Sequence, residues 1–127
     1  MEEIMAQMIK VVKSRHPYEE TVERIKEKTK ELGWSVIGEH DLAEKVGVKL
    51  TIIEVCNKEF ARRVLEKPEN RWISAFMPCR FSVVENSDGV YVYCMNMSLL
   101  AKMTPPELSE VISGVATVDE EIIGSIL

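Results

Sequence analysis

The sequence predicts an α+β fold: a largely antiparallel sheet with helices gathered against one face, in a single domain spanning residues 1–127. Three observations carry that expectation. The order of elements reads strand, helix, strands, helix, hairpin, helix. Two β-rich runs flank Asn86-Ser87-Asp88-Gly89, a turn signal that makes a hairpin and therefore an antiparallel pair. The chain has 127 residues, 46% hydrophobic and 29% charged, which suffices for one core and not for two.

The first strand is MIKVVKS, Met8 to Ser14, short and β-branched. A helix follows, with Pro17 in its first turn and Glu19 and Glu20 at the positive end of its dipole. Tyr18, Val22, Ile25, Thr29 and Leu32 form one apolar stripe, and Gly33 is the stop. Trp34 to Gly38 is a second strand, and Asp41 to Val46 a helical turn that Gly47 ends. KLTIIEVC, Lys49 to Cys56, is apolar on both faces at its centre, as an interior strand would be. Asn57 caps the next helix, Lys58 to Leu65, and Pro68 to Arg71 breaks it. Trp72 to Pro78 has no clear periodicity. After the hairpin come a helical turn at Met97 to Met103, a helix from Pro105-Pro106 to about Ser113, and a last amphipathic segment from Asp119 to Leu127.

Composition excludes several classes. A net charge of -5 with no compensating basic run speaks against nucleic acid, because phosphate contacts need a basic surface. The start, MEEIMAQMIKVV, is not a secretory signal, and no run approaches the apolar length of a membrane span. A cytoplasmic location follows, and there three cysteines do not suggest a disulfide framework. No P-loop, dinucleotide, metalloprotease or nucleophile-elbow motif is present, so the sequence assigns no reaction.

What the chain does concentrate is sulfur. FMPCRFSVVENSDGVYVYCMNM, residues 76 to 97, holds Cys79, Cys94 and three methionines. A three-residue Ser87-Asp88-Gly89 loop would set Asn86 opposite Val90 and Ser82 opposite Cys94, with Phe81 facing Met95 and Cys79 facing Met97. That register groups Cys79 with the methionines and sends Cys94 to the other face. A two-residue loop would shift every pair by one. Cys94 itself, alternating with Val90 and Val92, reads as a core residue.

Cys56 and Cys79 are the candidate site. Cys56 ends a strand just before a helix N-terminus, where the dipole and free N–H groups favour a thiolate. Cys79 lies in Met-Pro-Cys-Arg, with Arg80 supplying positive charge next along the chain. Copper(I), which accepts two thiolates with thioether help, suits this inventory better than zinc, since His16 and His40 have no ligand spacing.

From HPYEETVERIKEKTKELGWSV through Asp41–Gly47, LTIIEVCNKEFARRVL, MPCRFSVVENSDGVYV and Asn96, the chain resembles the family catalogued as domain of unknown function 302, over roughly residues 8–103. The resemblance implies a β-α-β-β-β-β-α sandwich like that of the TATA-binding protein, commonly paired as a homodimer, with residues 104–127 a helical extension. Relatives carry Gly-Asn-Pro where this chain has Val55-Cys56-Asn57-Lys58, and Leu-Pro at Met77-Pro78, so this is a cysteine-bearing branch. The shared Asn57, Pro78 and Asn96 are then expected to shape a site that Cys56, Cys79 and Arg80 specialise.

Three functions follow as expectations. The first is a thiol-dependent ligand-binding or redox domain, in which Cys56 and Cys79 hold a soft metal or cofactor or cycle between dithiol and disulfide. The second is a small-molecule-binding or protein-binding homodimer using an apolar sheet face with Trp34, Trp72 and the methionines, its cysteines structural. The third, a cysteine hydrolase, needs His16 or His40 beside a thiol.

Overall fold

The computed structural model describes residues 2–127. Five strands form one antiparallel sheet in the order β1-β5-β4-β3-β2: β1 is Ile9–Lys13, β2 Ser35–Asp41, β3 Leu50–Cys56, β4 Cys79–Asn86 and β5 Gly89–Met95. Six helices accompany them: α1 Glu2–Met8, α2 Tyr18–Glu31, α3 Ala43–Val46, α4 Lys58–Leu65, α5 Met97–Lys102 and α6 Pro106–Gly124. A run of 3-10 turns, Pro68–Phe76, fills the stretch without periodicity and leads to a cis Met77–Pro78 bond.

The expected α2 forms as its stripe dictates, burying Tyr18, Thr21, Val22, Ile25 and Thr29. It packs on the same sheet face as α6, whose Val115, Ile122 and Ile123, with Ile126 just beyond its end, join Ile53, Val55, Phe81, Val83 and Val92 in one core. Among the described residues the opposite face carries no α-helix. There Ile9 is 40% exposed and Val11 55%, beside half-buried Tyr91, Tyr93 and Met95.

Three expectations are corrected. The acidic N-terminus, in which no element was expected, forms α1. The two C-terminal segments are one helix: α6 runs through Gly114, which lies directly under the Phe60 ring and is there for close packing, not for a break. Most consequential is the hairpin. Asn86 pairs with Gly89 around a two-residue Ser87-Asp88 loop, so Val83 faces Val92 and Ser82 faces Tyr93. Gly89 takes φ 146°, a conformation that suits glycine. Burial decides this register. It puts Phe81 and Val83 on the same face as Val90, Val92 and Cys94, all inside, whereas the three-residue loop would set Phe81 and Val83 beside Met95 and Tyr93. Side chains reinforce it: Tyr91 Oη donates to Asp88 Oδ2 at 2.7 Å, and Asn86 Nδ2 donates to Tyr93 Oη at 3.2 Å.

Candidate functional site

The corrected register brings Cys79 and Cys94 onto one face of the sheet, and the sheet opens between them. The β4–β5 ladder stops at Ser82 and Tyr93. Beyond that point β4 continues through Phe81, Arg80 and Cys79 paired only with β3, Cys79 lying opposite Val55. β5 continues through Cys94 and Met95 paired only with β1, opposite Lys10 and Ile9. Local chemistry holds each strand end to its own side. Asn96 follows β5, and its backbone N–H donates to Met8 O at 2.8 Å while Nδ2 donates to Gln7 O at 3.1 Å. Its Oδ1 accepts from Leu99 N at 3.2 Å and so caps α5.

A cleft of about 380 Å³ fills the gap. Cys79, Arg80 and Ser82 form one wall, Tyr93, Cys94 and Met95 the other, and Ile9, Phe76, Pro78 and Met97 close the sides. Asp119 of α6 also lines it. Asp119 is 8% exposed, and its Oδ1 is buried with no hydrogen-bond partner among the described residues. Burial, then the neighbouring Glu120, pushes its carboxyl up to about 7, against a smaller opposing pull from Lys10. Lys10 itself reaches from β1 to an ion pair with Glu120.

The thiols respond to the same surroundings. Cys79 is pushed up to about 12, chiefly by burial, with Asp119, Cys56 and Cys94 adding to it. Cys94 also rises to about 12, again by burial and then by Asp119. Burial thus works against the thiolate expected at Cys79. Arg80 cannot supply it, because successive strand residues point to opposite faces; its side chain is 57% exposed, with Nη2 4.0 Å from Glu54 Oε2.

Cys56 and Cys79 do meet one space together, a second and smaller cavity of about 50 Å³ walled by Trp34, Phe60, Met77 and Met97. Trp34 is buried there, its ring 5.5 Å from Phe60, while Trp72 is 54% exposed on a separate groove with Phe76, Leu99 and Met103. Asn57 acts as a cap. Its Oδ1 accepts from Glu59 N at 2.9 Å and Phe60 N at 3.2 Å, so those two N–H groups are not free for the Cys56 sulfur.

No histidine lines either cavity. His16 Nδ1 is 3.7 Å from Glu20 and His40 Nε2 is 2.7 Å from Glu54, which leaves the expected thiol–histidine pair without its base. Among the described residues no group of three or more His, Cys, Asp or Glu is disposed to hold a metal ion. Copper(I) held by Cys56 and Cys79, the expected pair, would have to displace the proton that burial favours on Cys79.

Sequence reasoning missed Asp119 and misplaced Cys94. The signal for Asp119 was present: Leu108, Val111, Ile112, Val115, Ile122, Ile123 and Ile126 make a buried stripe, and Asp119 falls on it. An acid at a core-facing position of an apolar helix marks a candidate site. Reading a new segment from Asp119 hid it.

The fold and the cleft define an α+β sandwich whose sheet parts at one end around a buried acid and two free cysteines. The chain belongs to the DUF302 family: the model of this domain of unknown function matches residues 10–126. It is similar to an uncharacterized conserved DUF302 protein from Bacillus stearothermophilus, whose crystal structure has a TM-score of 0.82 at 24% identity, over 94% of this chain and 98% of that one. That likeness shows the fold. None of the curated proteins matches the chain.

Proposed function

We propose that this protein is a small-molecule-binding domain whose ligand occupies the cleft where β4 and β5 part. The cleft itself carries the reading: about 380 Å³ falls within the size range of small-molecule sites, and its apolar walls surround one buried polar group, as ligand sites commonly do. Cys79 and Cys94 serve as soft wall groups. Dithiol exchange and nucleophilic attack both require a thiolate, and burial, which pushes both thiols up to about 12, works against one. A fragment titration followed through backbone amide resonances tests this. Shifts are expected at Cys79, Ser82, Cys94 and Asp119, and Ser82→Trp, which fills the cleft, is expected to abolish them. Shifts confined to the groove beside Trp72 would contradict the proposal.

A second reading concerns assembly. The helix-free sheet face exposes Ile9 and Val11 beside Tyr91, Tyr93 and Met95, an apolar surface that suits a second copy of the chain. Sedimentation at micromolar concentration is expected to give the mass of two chains, and Val11→Glu that of one. A wild-type protein that stays monomeric would remove this reading.

A further inference from the structure

We propose that the ligand of this cleft is a small organic amine, its ammonium group received by Asp119 and its carbon skeleton lying against Phe76, Tyr93 and Met95. The inference rests on the cleft being a ligand site and names the class of ligand. Asp119 is more than nine-tenths buried, lines the cleft, and has an oxygen without a hydrogen-bond partner among the described residues. A buried acceptor left unmade is costly, so a donor that fits is strongly favoured.

The protein does not provide that donor. Among the described residues, Lys10 is the one cation acting on Asp119, and it pairs with Glu120. Arg80, the cationic member of the lining, has its side chain 57% exposed and lies by Glu54. The remaining walls are mostly carbon and sulfur. An anionic ligand would meet Asp119 as a like charge beside two uncharged thiols. A neutral one could offer the carboxyl only an uncharged donor, which makes the weaker hydrogen bond. An ammonium ion instead converts Asp119 into the acceptor of charge-assisted hydrogen bonds. Phe76 and Tyr93 add two aromatic rings to the lining, and such rings attract organic cations.

Hexylamine, hexanol and hexanoate share one skeleton and differ in charge, so they separate the possibilities. Each is titrated at neutral pH against the full chain, with the amides of Cys79, Ser82 and Cys94 as reporters. Hexylamine is expected to bind about tenfold or more tightly than hexanol, with hexanoate weakest, and Asp119→Asn to erase the preference. Equal binding of hexylamine and hexanol would overturn the amine assignment while leaving the cleft a ligand site. Failure of all three to shift the reporters would overturn both readings.

Calorimetry of the wild type in two buffers of different ionisation enthalpy gives a measure that needs no variant. Asp119 lies near Cys79, Cys94, Lys10 and Glu120, with Arg80 at the rim of the cleft, and burial raises its carboxyl to about 7. Amine binding is expected to release a fraction of a proton. Binding with no release would overturn the proposal.

Discussion

Asp119→Asn is expected to raise stability at pH 8 and to leave it nearly unchanged near pH 4. The carboxyl titrates at 3.8 when free and at about 7 in the folded protein, because burial beside Cys79 and Cys94 penalises its charged form. The folded state therefore holds this proton more tightly than the unfolded state does. Its contribution to stability is fully present below about pH 4, falls as pH rises toward 7, and is lost above that. At about 1.4 kcal/mol per pH unit, the full displacement corresponds to about 4 kcal/mol. Nearby charges act in both directions, Lys10 against the shift and Glu120 with it, and their own ion pair is common to both proteins. An amide resembles the protonated acid in shape and lacks its titration. Urea denaturation of the two proteins from pH 4 to pH 8 should give curves that separate as pH rises. Parallel curves would show that Asp119 is solvated or paired.

Phe81→Ala is expected to destabilise the protein by about 3–5 kcal/mol, a large share of the roughly 5–15 kcal/mol typical of a domain. Phe81 is the largest of the fully buried side chains. It sits on the central strand β4 opposite Ile53, at the first position where β4 has left β5. Truncation leaves a void beside strand ends that cannot close on it, since Asn96 ties the end of β5 to Gln7 and Met8 of α1. The urea midpoint should fall with little change in slope. A loss under about 1 kcal/mol would mean that the parting strands collapse into the gap.

Elements set by local chemistry were legible in the sequence. The α2 stripe from Tyr18 to Leu32, the interior strand Leu50–Cys56 and the Asn57 cap each depend on neighbours a few residues away. The hairpin register was not, because turn preference at Asn-Ser-Asp-Gly competed with burial of Phe81 and Val83, and burial prevailed. That one-residue difference relocated Cys94 and with it the site. Cys79 was singled out for its adjacency to Arg80, but adjacency along a strand places that charge on the opposite face. Of the other candidates, Asn57 and Asn96 shape the neighbourhood as caps, and Cys56 lines only the smaller cavity. Asp119 could be assigned only once α6 proved continuous, because its meaning comes from the strands it is packed against.

The most direct measurement is a carbon-13 NMR titration of the Asp119 side-chain carboxyl, assigned by its loss in Asp119→Asn. A midpoint near 7 is expected, as for an acid buried without a partner at the floor of the cleft. A midpoint near 4 would mean that the carboxyl is already hydrated or paired, and the cleft would lose the group on which its proposed chemistry depends.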